Sequence, residues 1–398
     1  MLNQLISSAT NFVVGFYLLR MLPPAEFGLF GVGFAIILFF GGIGNALLLI
    51  HMVVQIPHKS PSIRKVYVAR MLMALLAFCI FSVLVVGGGV ILASLLSTAV
   101  IEYLTLAIAI SAASLPYLLK DFFIRYAYSE QKENWALKIN LMIAATTASS
   151  FLLFHIDSAE KALWIYAAGQ LGGVVAGFVL AKLPVSAVEL PALRLDLHET
   201  WNAGRWNVSA NIINWVRTQA YVTFTAGIAG PAGVAILNAV RLLFTPVIFL
   251  LPAVGQLALP RLATLGVYDR QGVTRIGFQV IAAILAVTFG YSTLLLIFFK
   301  PVATIILGAE YKTLDHIAFA WVSFLVVHII AVGSTLILQA LRQYSAVAVS
   351  GAVGTIFMLA VLYPLYWAFN LGGIIFSMAV GEFAIAALVC WKISRLKQ

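Results

Sequence analysis

The sequence predicts an all-α polytopic membrane protein with about 12 transmembrane helices, six in each half of the chain. Three observations predict this fold class: a very apolar composition, apolar runs long enough to cross a bilayer, and a repeat between the two halves. Of the 398 residues, 63% are hydrophobic and 10% are charged, and the mean hydropathy is +1.04. Soluble chains average about 45–50% apolar and about 25% charged residues. The composition therefore excludes a water-soluble enzyme, a disordered scaffold and a disulfide-rich secreted module.

The apolar runs also exclude an outer-membrane barrel, because barrel strands alternate polar and apolar residues whereas these runs are continuous. The formal net charge of +10 does not indicate a nucleic-acid partner, since polytopic proteins collect basic residues in their cytoplasmic loops. Cys79 and Cys390 lie within apolar runs and are interpreted as small buried hydrophobes. The six histidines are scattered along the sequence and show no metal-ligand spacing.

The predicted transmembrane helices are the apolar runs between charged or proline- and glycine-rich breaks. A transmembrane helix needs about 20 mostly apolar residues. The runs of the first half cover about 2–22, 29–54, 68–95, 98–119, 136–154 and 162–182. Those of the second half cover about 207–229, 233–258, 276–299, 316–340, 345–368 and 371–391. The longest polar connection separates the halves and predicts an N-terminal lobe of residues 1–183, a cytoplasmic linker of residues 184–206 and a C-terminal lobe of residues 207–398.

The lysines and arginines predict the orientation of the chain. If the N-terminus is cytoplasmic, the outer side of the membrane holds only Arg20, Lys161, Lys300 and Lys312, while most of the 24 lysines and arginines fall on the inner side. Basic residues accumulate in cytoplasmic loops. We therefore expect both termini to be cytoplasmic.

An internal repeat supports the division into halves. The pair Asn11-Phe12 precedes a Pro-Ala turn at Pro24, and the pair Asn214-Trp215 precedes a Pro-Ala turn at Pro231, about half the chain later. Because each half contains an even number of spans, both halves enter the membrane from the same side and the repeats are parallel. The repeat predicts a transport pathway at the interface between the two halves.

Polar side chains form a stripe along the first helix of each half. Spacings of three and four residues place them on one helix face. The stripe of the seventh span consists of Asn211, Asn214, Thr218, Tyr221 and Thr225, and that of the first span consists of Asn3, Ser7, Thr10 and Tyr17, with Asn11 beside it. Such stripes either form interhelical hydrogen bonds or line a hydrated cavity, and their occurrence at equivalent repeat positions favours the cavity.

Ionisable residues within the spans give the predicted pathway its charge. Arg217 lies near the middle of the seventh span, Arg241 lies in the eighth, and Arg20 lies near the end of the first. An arginine at a helix centre costs about 2.5–3.5 kcal/mol on insertion scales, so we expect Arg217 to face the pathway. Arg241 and Arg20 lie nearer to helix ends and either face the pathway or extend to the membrane surface. Glu382 in the twelfth span either pairs with one of them or binds a coupling cation, Na⁺ or H⁺. An interior of this sign accommodates an anion, and a guanidinium fork suits phosphate oxygens.

Several segments resemble the polysaccharide biosynthesis (Wzx-type) flippases of the multidrug/oligosaccharidyl-lipid/polysaccharide exporter superfamily. They are LLRMLPPAEFGLF, AGPAGVAILNAVRLL, LGAEYKTL and a segment that contains Pro246, Pro252 and Pro260 and ends in LPRLA. The resemblance implies two six-helix lobes around a central cavity, alternating access, and a lipid-linked glycan carried on a polyprenyl diphosphate across the bacterial inner membrane. We expect membrane lipids as surroundings and no metal or other cofactor, apart from a coupling ion, Na⁺ or H⁺, that the sequence does not define. The candidate substrate-binding residues are Arg217, Arg241, Arg20, Asn11, Asn214 and Tyr221.

Two other functions stay open at the level of the sequence. A multidrug exporter of the same superfamily would be expected to carry an acid in the first or seventh span, and neither span contains one. A membrane glycan polymerase usually has a long outer loop, whereas the longest outer connection here runs only from about Lys300 to Asp315. We therefore expect a transporter and not an enzyme. The sequence does not define the glycan, the coupling ion or the oligomeric state.

Overall fold

The computed structural model describes residues 2–94, 103–184, 189–265 and 268–395. Within these ranges the chain is helical and contains no β-strand, so the predicted all-α fold class is confirmed. The helices of the first half are α1 (Leu2–Met21), α2 (Pro24–Gly44), α3 (Ile50–Gln55), α4 (Pro61–Ser94), α5 (Leu104–Ser129), α6 (Glu133–Leu153) and α7 (Ala159–Ala181). Those of the second half are α8 (Leu190–Leu243), α9 (Thr245–Leu265), α10 (Arg270–Ile297), α11 (Phe299–Ile306), α12 (Asp315–Ala340) and α13 (Tyr344–Arg395).

The helices are those of a multi-pass membrane protein. In the described part of the chain, nine helical segments are long and apolar enough to cross a membrane. One of them, Tyr344–Arg395, has 52 residues and covers two of the predicted spans. The first five residues of the predicted span 98–119 lie outside the described residues.

Two long helices contain sharp breaks where two predicted spans meet. In α8, Gly230 has a φ of 69°, and the next residue is Pro231. A positive φ favours glycine, and a proline restricts the residue before it to a non-helical conformation, so this pair interrupts the helix. In α13, Asn370 has a φ of 52°, and asparagine tolerates a positive φ better than most residues.

One predicted span is divided in the structure. The apolar run 233–258 predicts one helix, but α8 ends at Leu243 and α9 begins at Thr245. At the junction, the Phe244 amide donates to the Arg241 carbonyl, 3.0 Å away, in a tighter turn than an α-helix. Pro246 explains the division, because it lacks the amide hydrogen that would continue the hydrogen-bond ladder.

The helices form two compact units. The N-terminal unit comprises Met1–Val14 and Met21–Trp215, and the C-terminal unit comprises Gly15–Arg20 and Val216–Gln398. In the N-terminal unit, α5 packs against α2, α4 and α7. Close approach of α7 depends on its glycines: a Cβ atom at Gly177 would lie 2.3 Å from Cγ of Phe123 on α5. The glycine at position 177 therefore serves close helix packing.

The predicted cytoplasmic linker of residues 184–206 is helical from Leu190 onward, and this part of α8 packs on the N-terminal unit. The Asp196 carboxylate, on α8, lies 2.5 Å from the Arg70 guanidinium on α4. Leu193 packs against the apolar core of the same unit, and Gly204 lies against the backbone of Leu47. Asp196, a charged residue of the predicted linker, thus lies on the contact face of a helix. The division into lobes at residues 183 and 207 stays a prediction.

In the C-terminal unit, α12 packs against α9, α10 and α13. Its apolar core joins buried residues from these four helices, including Val247, Ile281, Ile329 and Ile385. The same helix carries polar and aromatic side chains on another part of its surface. These side chains form the candidate site.

Arg20 binds the end of a short helix within the C-terminal unit. Its Nε donates to the Ile306 carbonyl at 2.9 Å, and its Nη2 donates to the Ile305 carbonyl. The last carbonyls of a helix lack partners within the helix, and a cation stabilises this negative end of the helix dipole. Arg20 therefore caps α11, a role that the local sequence does not predict.

We expect Arg20→Ala to lower the free energy of unfolding by about 1 kcal/mol, because two carbonyls at the end of α11 lose a charged donor. Thermal unfolding of the purified variant in detergent measures this change. Lys300→Ala is the matched control, since Lys300 is an exposed cation in the same helix. An unfolding midpoint equal to that of the control would contradict the capping role.

Candidate functional site

A buried carboxylate lies at one end of the candidate site. The side chain of Glu382, on α13, is only 1% exposed. Its Oε1 lies 3.0 Å from Nδ1 of His328 on α12 and 3.7 Å from Nη1 of Arg217 on α8. A buried carboxylate requires such partners, because removal of a charge from water is costly unless it is paired. Of the two sequence-based alternatives, pairing with an arginine is thus present in the structure.

The second carboxylate oxygen of Glu382 has a different environment. Oε2 is buried and has no hydrogen-bond partner among the described residues. Buried polar atoms normally have a partner, supplied by protein or ordered water. This oxygen is therefore available to accept a proton, a water molecule or a cation.

Aromatic rings connect this acid to the other end of the site. His328 stacks on Phe324, with ring centroids 5.0 Å apart. Phe324 contacts Trp321 edge to face at 5.6 Å, and Trp321 contacts Tyr221 of α8 in the same way at 5.8 Å. Trp321, Phe324 and His328 are three and four residues apart, so one face of α12 presents all three. We call these four residues the aromatic ladder.

Arg241 lies at the far end of the aromatic ladder. Its Nη1 donates to the Tyr221 hydroxyl at 2.8 Å, and that hydroxyl donates to Oδ1 of Asn238, also at 2.8 Å. The guanidinium carbon lies 5.8 Å from the Tyr221 ring centre and 6.0 Å from that of Trp321. Aromatic faces attract cations at these distances. The rings and the hydroxyl therefore fix the position of the Arg241 guanidinium.

The balance of charge in this site is positive. Arg217 has Glu382 within ion-pair distance, whereas no carboxylate among the described residues lies within ion-pair distance of Arg241. Arg241 is half-buried, so its charge is screened less than that of a surface arginine. An anion such as a phosphate is the ligand that this guanidinium can bind with two parallel hydrogen bonds.

The structure brings together some of the predicted site residues and separates others. Arg217 and Glu382 lie at one end of the aromatic ladder, while Tyr221 and Arg241 lie at the other end. Arg20 caps α11 in the same unit. Asn11 and Asn214 are exposed residues of the N-terminal unit.

Four residues of the site are absent from the sequence prediction: His328, Phe324, Trp321 and Asn238. In the sequence, His328 is one of six scattered histidines, and Trp321 resembles any large core residue. A usable signal exists in Asn238, which precedes Arg241 by three residues and therefore lies on the same face of α8. The spacing of Trp321 and His328 on an otherwise apolar helix gives a similar but weaker signal.

Comparison with known proteins identifies the fold and not a sequence family. No family model matches the sequence, and no curated protein sequence matches it. Solved structures do match. An inward-facing multidrug-resistance MATE-family transporter of the MOP superfamily superimposes with a TM-score of 0.71 at 15% identity, covering 98% of this chain and 95% of the other.

Two further structures are similar over nearly the whole chain. The lipid II flippase MurJ, in an inward-closed conformation, superimposes with a TM-score of 0.74 at 12% identity. The match covers 99% of this chain and 88% of the flippase chain. A MOP-superfamily transporter from Pyrococcus furiosus has a TM-score of 0.65 at 13% identity, with 100% of this chain and 95% of that chain covered. At such identities the likeness defines the fold. The chain therefore has the fold of the MATE and MurJ transporters.

Proposed function

We propose that the protein is a flippase that moves a lipid-diphosphate-linked oligosaccharide across the bacterial inner membrane by alternating access. The observation that carries the proposal is the Arg241 guanidinium, fixed by Tyr221 and Trp321 and without a carboxylate partner among the described residues. A diphosphate supplies the oxygens that such a fork binds. The fold likeness to MurJ, which is a lipid II flippase, supports a lipid-linked substrate.

The two ends of the aromatic ladder have different roles in this proposal. Arg241 binds the substrate diphosphate, with Tyr221 and Asn238 holding it in position. Arg217 holds Glu382 and adds positive charge to the site. Arg20, Asn11 and Asn214 are not part of the cluster that supports this proposal.

Glu382 is the group that we propose to couple transport to an ion gradient. Its Oε2, which has no hydrogen-bond partner in the described part of the chain, accepts a proton or contacts a cation, and His328 and Arg217 hold the other oxygen. We expect the flipping rate to depend on one imposed gradient, either Na⁺ or H⁺. Flipping in vesicles with each gradient applied separately measures this dependence, and equal rates with and without both gradients would contradict coupling at Glu382.

A multidrug exporter is the second candidate, and the fold likeness to MATE transporters favours it. An organic cation would bind to aromatic rings beside a carboxylate. In this site, however, Arg241 already lies over the rings of Tyr221 and Trp321, and Oε1 of Glu382 is paired. An organic cation would meet the positive charge of Arg241 at one end of the aromatic ladder. The geometry therefore favours an anionic substrate.

The test uses the full chain reconstituted in vesicles that carry a polyprenyl-diphosphate oligosaccharide in both leaflets. A glycosidase added outside removes sugar from the outer leaflet, and its access to the inner pool measures flipping. We expect the protein to expose the inner pool, whereas empty vesicles keep it protected. Transport of a cationic dye without flipping would identify a multidrug exporter, and elongation of the glycan would identify a polymerase.

The proposed topology places both termini and residues 184–206 in the cytoplasm. We expect reporter fusions at Leu190 and after Gln398 to give cytoplasmic signals, because most lysines and arginines fall on that side. A fusion in the connection near Lys312 is the matched control and should give an outer signal. An outer signal at Leu190 or Gln398 would contradict both the orientation and the count of six spans per half.

A further inference from the structure

A groove lies at the end of the C-terminal helix pair, away from the site described above. The two parts of α13 run antiparallel, since Gly354 lies against Ile385 and against the carbonyl of Gly381. The two parts of α13 together line an open groove of about 240 Å³. Its lining residues are Ser345, Ala346, Val349, Ser350, Leu388, Trp391 and Lys392.

The lining changes from polar to apolar along the helices. Ser345 lies in the first turn of α13 and Lys392 in its last turns, so both are at the same end of the pair. Val349 and Leu388 lie about one turn further from this end. A ligand that fits this order has a polar headgroup at the end of the helices and an apolar chain along their sides.

The charges around the polar end are basic. Lys392 and Arg395 are the only basic residues of α13, and Glu382, almost three turns from Lys392, is its only acid. Arg342 is exposed just before the helix begins. Arg395 stacks on the ring of Trp391, with the guanidinium carbon 4.2 Å from the ring centre. The headgroup that complements this set of cations is negatively charged.

Exposed aromatic residues surround the same end of the helix pair. Tyr344 is 64% exposed and Trp391 is 53% exposed. Tyrosine and tryptophan concentrate at the level of lipid headgroups, where the ring is buried among acyl chains and the polar atom reaches water. Basic pockets between transmembrane helices, at the membrane surface, bind anionic lipid headgroups.

We propose that this groove binds an anionic phospholipid, with the phosphate beside the Lys392 ammonium and the Ser345 hydroxyl and an acyl chain along Val349 and Leu388. Trp391 packs along the glycerol region of the bound lipid. The site is separate from the transport site, because none of the described residues that line the groove belongs to the aromatic ladder. It requires neither a transport substrate nor an ion gradient.

The test measures lipid retention by the purified full chain in detergent. Native mass spectrometry counts bound phosphatidylglycerol and phosphatidylcholine with identical acyl chains, added in equal amounts. We expect a preference for phosphatidylglycerol in the wild type. Lys392→Gln should bind it about fivefold more weakly, since a lysine near a lipid surface contributes roughly 1 kcal/mol. Lys65→Gln, which removes an exposed lysine of the N-terminal unit, is the matched control and should keep the preference.

A second variant and a second ligand distinguish a phospholipid groove from a site for free anions. Ala346→Leu fills the groove without a change of charge and should reduce retention of both lipids. Inorganic phosphate should not displace phosphatidylglycerol; displacement would identify a site for free anions and overturn the proposal. A wild type without a preference for phosphatidylglycerol, or a Lys392→Gln variant equal to the control, would overturn it as well.

Discussion

The Glu382→Gln variant is expected to reach the membrane at a lower level than the wild type and to unfold at a lower temperature. Glutamine keeps the shape of the side chain but removes the charge that faces Arg217 and His328. Loss of one partner from a buried ion pair costs about 3–5 kcal/mol, because the other partner stays buried without compensation. We expect the lower end of this range, since the Arg217 and His328 side chains are each 20% exposed.

Two further variants test whether this loss comes from the ion pair. Glu189→Gln makes the same chemical change at an exposed position and should leave the unfolding midpoint unchanged. The double variant Arg217→Gln/Glu382→Gln removes both charges of this ion pair, so its destabilisation should be smaller than the sum of the single effects. Residues in contact typically show coupling of about 0.5–3 kcal/mol. Additive effects would contradict the pairing of Arg217 with Glu382.

The Arg241→Ala variant is expected to lose most of its flipping activity while it reaches the membrane at a normal level. Hydrogen bonds to charged groups contribute about 1.5–3 kcal/mol, so removal of the fork should weaken diphosphate binding about 10- to 100-fold. The fold should tolerate this change, because the Tyr221 hydroxyl still donates to Asn238. The vesicle assay measures flipping, and immunoblotting of membranes measures the level.

Arg241→Lys and Arg275→Ala are the matched variants for this prediction. Lysine keeps the charge but loses the two parallel hydrogen bonds, so part of the activity should persist. Arg275 is an exposed arginine of α10 in the same unit, and its replacement should leave flipping unchanged. Normal flipping by Arg241→Ala would contradict the assignment of this residue to substrate binding.

The sequence predicts the fold well because the membrane imposes its constraint locally. A transmembrane span must be apolar over about 20 residues, and its backbone N–H and C=O groups must form hydrogen bonds within the span. The local composition therefore reveals the span. The predicted helices therefore match the observed ones at most positions. The main difference lies at residues 190–206, where Asp196, Thr200 and Gly204 form the buried face of a helix, although the local composition is that of a polar connection.

The site is only partly predictable, because it depends on which helix faces meet. Placing an ionisable side chain inside a membrane span costs free energy, so Arg217, Arg241 and Glu382 are conspicuous in the sequence. Their partners are not conspicuous. His328 pairs with Glu382 only because α12 and α13 pack in one particular register, and Arg20 binds α11 across almost 290 residues of sequence. Pairing across such separations requires the tertiary structure.

The Arg241 end of the aromatic ladder is the proposed binding site for the diphosphate of a lipid-linked substrate. Its most direct test is the affinity of the purified protein for a polyprenyl-diphosphate oligosaccharide and for the uncharged polyprenol of the same chain length. We predict that the wild type binds the diphosphate at least about tenfold more tightly and that Arg241→Ala loses most of this preference. Equal affinities in the wild type, or an undiminished preference in Arg241→Ala, would contradict the claim.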